Sequence, residues 1–159
     1  MKKTNIIVSI IVAIVCVIAG VFIFMPNNNV AFETYYKEIK KADEYQEQSS
    51  YLTIEVTRKD EYVDFKFYNP KDELYNIKVI IIPEDASLRF SKTFLSVGVL
   101  EDYSINLVPT DFPNKENAVY KAGLAASTKN KEDEYLIYLE FNLANDVKIK
   151  EYLKVEVED

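Results

Sequence analysis

Residues 51–82 read YLTIEVTRKDEYVDFKFYNPKDELYNIKVIII, and this stretch decides the fold. Leu52, Ile54 and Val56 alternate with Thr53, Glu55 and Thr57. After the polar run Arg58-Lys59-Asp60-Glu61, Val63, Phe65 and Phe67 alternate with Asp64, Lys66 and Tyr68. A period of two puts successive side chains on opposite faces of a strand, so two such runs around a short polar turn predict an antiparallel hairpin. Asn69-Pro70-Lys71-Asp72 is a second turn, with proline at a favoured position. Leu74 to Ile82 predicts a third strand, with Ile77, Val79 and Ile81 on one face and Ile80 and Ile82 on the other. Being apolar on both faces, it should be central or covered. Pro83 should stop it.

Toward the C-terminus, further strands are predicted over Thr93 to Val99, Tyr103 to Val108, Tyr135 to Leu143 and Val147 to Val157. In the last two, Ile137, Leu139, Phe141 and then Leu153, Val155, Val157 alternate with polar neighbours. The alanines of Ala118 to Ser127 suit a helix as well as a strand. Acidic pairs at Asp60-Glu61, Asp72-Glu73, Glu84-Asp85, Glu101-Asp102 and Asp133-Glu134 mark turns. Many short strands with regular turns predict an all-β domain over 51–159, an antiparallel two-sheet sandwich.

Toward the N-terminus, residues 30–48 read VAFETYYKEIKKADEYQEQ. Phe32, Tyr35, Tyr36, Ile39, Ala42 and Tyr45 share one helical face. Asn29 is the expected N-cap, and Glu33 and Lys37 form a helix-supporting i,i+4 pair. This short juxtamembrane amphipathic helix could pack on its own β domain, act as a self-associating stalk, or place Tyr35 and Tyr36 at lipid headgroups.

Residues 6–25 read IIVSIIVAIVCVIAGVFIFM, with no charge. Twenty helical residues span about 30 Å, the thickness of a bilayer's hydrocarbon core. The run is longer than a signal-peptide core and lacks a small-x-small cleavage site, which favours an uncleaved transmembrane anchor. Cys16 lies inside the run after Val15, not at its end, so it does not read as a lipidation site. Lys2 and Lys3 point to a cytoplasmic N-terminus (residues 1–5) and an extracytoplasmic domain, although Lys37, Lys40 and Lys41 follow the span. Residues 26–50 are then linker and juxtamembrane helix. Ser9, Ala13, Cys16 and Gly20 form one stripe of small residues, a candidate helix-packing face for a second copy or a partner.

Composition narrows the function. The chain carries 19 basic and 26 acidic residues, a net charge of −7. With Lys2 and Lys3 set apart, the remainder stands at −9, which repels both nucleic acid and anionic headgroups. There is no histidine, and the one cysteine sits in the apolar run. That removes His-based catalysis, thiolate nucleophiles and zinc or copper thiolate sites from the soluble part. Outside the apolar run only Gly98 and Gly123 remain, so no phosphate-cradling loop exists. No cofactor site is expected.

Glu84-Asp85 and Glu132-Asp133-Glu134 are the calcium candidates, but neither has a defined loop spacing. Ser91 and Lys92 are adjacent and would point to opposite faces of a strand. Of twelve tyrosines, Tyr62, Tyr68 and Tyr75 fall near strand edges or polar faces, where the ring offers contact area with a polar tip.

Phe65-Lys66-Phe67-Tyr68-Asn69-Pro70, Ile77-Lys78-Val79 and Val99-Leu100-Glu101-Asp102-Tyr103-Ser104-Ile105-Asn106-Leu107 together resemble bacterial and archaeal membrane-anchored surface Ig-like modules. The chain lacks the glycine usual in their later turn and any Cys…Trp…Cys signature. The resemblance implies a fold and an adhesion or scaffolding role, and it carries no functional residue over. The expected function is a non-catalytic, membrane-anchored protein-interaction module with a protein partner. The alternative is a self-associating anchor or pilus-accessory-like subunit, and a ligand sensor or enzyme is the remaining reading.

Overall fold

The computed structural model describes residues 28–86, 95–99, 105–111, 118–127 and 132–158. The chain divides into two compact units, Met1–Ala31 and Phe32–Asp159. The apolar run of residues 6–25, with Ser9, Ala13, Cys16 and Gly20, lies outside the described residues. Among those described, no helix is long and apolar enough to cross a membrane.

The second unit is mostly β. Its elements are β1 (Thr53–Arg58), β2 (Tyr62–Tyr68), β3 (Leu74–Pro83), β4 (Leu95–Val97), β5 (Ile105–Leu107), β6 (Ala118–Val119), β7 (Lys121–Ser127), β8 (Glu134–Asn142) and β9 (Lys148–Glu156), preceded by the helix α1 (Asn28–Lys40). One sheet has the order β1-β2-β7. The other has the order β6-β5-β3-β8-β9, with β4 on β3 beside β5. All pairings are antiparallel except β5 with β6.

The expected hairpin forms, with Val56 opposite Phe65. Val63, Phe65 and Phe67 point into the space between the sheets and are buried, while Asp64, Lys66 and Tyr68 face outward. Asn69 takes the left-handed conformation (φ 49°) in the turn after β2, one that asparagine tolerates well.

β3 is central and apolar on both faces, as its sequence predicts. Leu74, Ile77, Val79 and Ile81 enter the inter-sheet core, and Ile80 and Ile82 enter a second cluster on the opposite face. Leu74 and Ile77 face the same way despite odd spacing, because the register shifts between them and Asn76 adopts φ 51°. A bulge of this kind resets which face each side chain meets. β3 ends at Pro83, as expected. The proline lies opposite Tyr135, where a missing N–H costs no interior ladder bond.

β8 departs from the expected alternation. Tyr135 through Phe141 are all buried, because β8 lies between β3 and β9 with the core on one face and α1 over the other. Ala118 to Ser127 is strand, broken at Tyr120. Ala122, Leu124 and Ala126 pack on the core and β7 pairs with β2 along its length, so pairing and burial override alanine's helix preference. Within the described parts of the expected strands at Thr93 to Val99 and Tyr103 to Val108, β4 covers Leu95–Val97 and β5 covers Ile105–Leu107.

α1 packs on its own β domain. Phe32 and Ile39 are buried with Ile80, Ile82, Leu136 and Tyr138, and Tyr35 and Tyr36 pack around them. The helix is shorter than its periodicity predicts. Asn29 lies within it rather than at its cap, and it ends at Lys40 instead of Gln48. Lys41 N and Ala42 N bond Glu38 O and Ile39 O at 3.3 and 3.1 Å, which tightens the last turn. Tyr45 OH donates to Ile39 O at 2.5 Å from outside the helix. The chain then extends so that Gln46 bonds β9. Glu33 and Lys37 do pair.

Candidate functional site

Three places combine charge or exposed apolar surface. The first is an open groove of about 630 Å³ at one end of the sandwich, lined by Arg58, Glu84, Asp85, Glu132, Asp133, Glu134, Glu156 and Val157. The end of β3, the entry to β8 and the end of β9 converge there through Glu84 N to Glu134 O at 3.0 Å and Val157 N to Asp133 O at 2.9 Å. Both calcium candidates, far apart in sequence, thus meet in space. Their carboxylates are engaged. Lys154 Nζ lies 2.8 Å from Glu84 Oε1 and 3.1 Å from Glu134 Oε2, and Arg58 Nη2 lies 2.6 Å from Asp133 Oδ1. Lys154 and Glu134 hold the Glu84 carboxyl below the usual range. Glu132 behaves oppositely. Burial, a hydrogen bond with Asp85, and the charges of Asp85 and Asp133 push it up to about 7. Glu132 therefore gains and loses its proton near neutrality. Among the described residues, no group of three or more His, Cys, Asp or Glu is arranged to hold a metal ion. Ser91 and Lys92 lie outside the described residues.

The second place is the seam between α1 and the larger sheet. Glu140 is buried and accepts from Tyr138 OH at 2.7 Å, Lys78 Nζ at 3.0 Å and Lys148 Nζ at 3.3 Å. Burial alone would raise its pKa, but these donors outweigh it and hold it at about 2. Tyr138 is pushed far above the phenol range by burial and by Glu140. Beside it, Glu38 of α1 accepts from Lys150 Nζ at 2.6 Å and Tyr152 OH at 3.0 Å. Every member is partnered within the domain, and the network fastens the helix.

The third place is the smaller sheet. Large hydrophobic side chains exposed among the described residues are Tyr62 (43%), Val119 (36%), Tyr120 (40%) and Val147 (46%). Three of these four flank the two ends of β7. Val119 and Tyr120 lead into it, and Tyr62 stands opposite its last residue, Ser127. The outer face between them is flat, since Gly123 and Ala125 are exposed and small.

The three candidate tyrosines are not one patch. Tyr62 and Tyr68 occupy opposite ends of the outer face of β2, about 20 Å apart at strand rise. Tyr68 OH donates to Glu55 Oε2 at 3.2 Å. Tyr75 is on β3 in the other sheet, bonded to Glu73. The sequence reading missed Val119 and Tyr120, because the ambiguity of Ala118 to Ser127 hid that they precede an edge strand. No protein-family model matches the chain, and no curated protein matches it in sequence.

Proposed function

We propose that this chain is a non-catalytic, membrane-anchored protein-interaction module, with an Ig-like sandwich displayed outside the cytoplasm. The observation that carries the interaction reading is the exposure of Val119 and Tyr120 at one end of β7 and of Tyr62 at the other, with the small residues Gly123 and Ala125 between. α1 occupies the outer face of the larger sheet, which leaves the β1-β2-β7 face available for contact. Aromatic side chains around small residues suit a protein partner. The strand order supports the Ig-like reading. β1-β2-β7 corresponds to A-B-E, and β4-β3-β8-β9 to C′-C-F-G. The uncharged run of residues 6–25 supports the anchor, and Lys2 and Lys3 support an outward domain.

In-membrane crosslinking with mass spectrometry tests this. The full chain is compared with residues 1–50 fused to an unrelated domain. Crosslinks that map to the β1-β2-β7 sheet and vanish in the fusion are expected. Crosslinks retained by residues 1–50 alone would instead place association in the anchor and helix.

A further inference from the structure

Among the described residues, the sandwich has three long strands at its sheet edges, β1, β7 and β9, and the chain treats them differently. Beside β9, Gln46 N bonds Tyr152 O at 2.9 Å and Lys154 N bonds Gln46 O at 3.0 Å. Beside β1, Arg58 N bonds Glu158 O at 2.9 Å and Glu158 N bonds Val56 O at 3.2 Å. Both edges are thus partly covered by the chain's own backbone. β7 is paired along all seven residues on its β2 side, and among the described residues no backbone bond reaches its other side. β4 lies against β7 from the facing sheet without forming a ladder with it.

An open edge is a template for another strand, and proteins usually blunt it with charge, proline or a bulge. β7 has no proline and no register shift, and Lys121 is its one charge. Its sequence, Lys121-Ala122-Gly123-Leu124-Ala125-Ala126-Ser127, is nearly symmetric in size about Leu124. Set antiparallel to itself with Leu124 opposite Leu124, Gly123 meets Ala125, Ala122 meets Ala126 and Lys121 meets Ser127. No like charges oppose one another, although the whole chain stands at −7. The same operation on β9, centred on Tyr152, sets Lys150 against Lys154, and the outer side of β1 already carries Glu158. At β7, the two-fold operation brings the Val119–Tyr120 end of one copy to the Tyr62 end of the other.

We propose that β7 is a homotypic docking edge, through which two copies of this chain join antiparallel about a two-fold axis at Leu124 to make one continuous sheet. This rests on the reading of the β1-β2-β7 sheet as the contact face and names a second copy as its occupant. One strand pair with a tyrosine rim is small for an interface, so pairing strengthens when copies share a membrane.

The test uses the full chain in nanodiscs or native membranes with Cys16→Ala, which removes the only cysteine. Two differently tagged copies, one with Gly123→Cys and the other with Ala125→Cys, are mixed and oxidised. At least tenfold more crosslink is expected between the two tags than within either. Separately, Gly123→Lys with Ala125→Lys should weaken self-association at least tenfold with the melting temperature unchanged, since both positions are exposed. Equal crosslinking in all combinations, or unchanged self-association of the double-lysine chain, would overturn the proposal. If a different protein still crosslinks to the β1-β2-β7 sheet in that case, the contact face stands and only its occupant is wrong. If nothing crosslinks there, both fall.

Discussion

Glu38 Oε1 on α1 lies 2.6 Å from Lys150 Nζ on β9, and this pair ties the helix to a strand 112 residues further along the chain. The contact marks the seam but does not dominate it. Both side chains are partly exposed, 41% for Lys150 and 30% for Glu38. Water screens such pairs, so Lys150→Ala should cost about 0.5 kcal/mol. Ile39 is fully buried in the same seam, and Ile39→Ala should cost about 2–4 kcal/mol through lost burial and a cavity. Denaturant unfolding followed by tyrosine fluorescence checks both, as there is no tryptophan. Equal losses would mean that charge, rather than burial, holds the helix.

Gly98 cannot be replaced without strain. Its φ is +66°, and a Cβ there would lie 2.1 Å from the carbonyl oxygen of Ile77, beside the β3 bulge. Relief requires backbone movement at a central strand. Gly98→Ala should therefore cost about 2–4 kcal/mol, combining left-handed strain with the clash. Gly123→Ala is the control. Its Cβ would meet only Phe65 O at 3.4 Å, without positive φ, and the change should stay within about 0.5 kcal/mol. Melting temperatures of the two variants decide the comparison, and a large loss at Gly123 would contradict the described space around it.

The contrast between these glycines shows where sequence reading ends. The hairpin, the two-faced β3 and the helical face of Phe32 and Ile39 were legible, because burial imposes periods of 2 and 3.6 on the residues themselves. Three features were not. The helix ends at Lys40 and the chain runs on to pair Gln46 with β9, a tertiary event without a local signal. β8 is buried on both faces, and its Tyr138 and Glu140 look polar in sequence but sit beneath α1. The acidic turns at Glu84-Asp85 and Glu132-Asp133-Glu134 converge only because β3 and β8 pair antiparallel with Pro83 opposite Tyr135. Long-range register of this kind leaves no trace in local composition.

That two-sided burial makes Glu140 a stability determinant with its own pH signature. Its carboxyl is held at about 2, against an ordinary 4.5, because Tyr138, Lys78 and Lys148 outweigh the penalty of burial. A lowered carboxyl pKa contributes stability that is complete above 4.5 and disappears as pH falls toward 2. Lys148 is more than half exposed, so solvent reduces the contribution to about 1–2 kcal/mol. Glu140→Gln should lose about that much at pH 7 and show a flatter stability curve between pH 5 and pH 2. Equilibrium unfolding of both chains across that range is the measurement. An unchanged slope would show that Glu140 does not titrate as its surroundings require.

Glu132 should act with the opposite sign. Burial, Asp85 and Asp133 push its carboxyl up to about 7, so the folded chain holds a proton that the unfolded chain releases near 4.5. Such a group stabilises fully below the unfolded value, and the contribution is lost as pH rises through about 7. The groove is open to solvent, which limits the effect to about 1 kcal/mol. Glu132→Gln keeps hydrogen-bonding capacity toward Asp85 without acquiring charge. The variant should match the parent at pH 5 and exceed it by about 1 kcal/mol at pH 8. Arg58, Lys154, Glu84 and Glu134 also face this groove, so the comparison needs the parent's own curve rather than a single pH. A variant less stable than the parent at pH 8 would mean that the charged form of Glu132 is paired, most directly by Arg58.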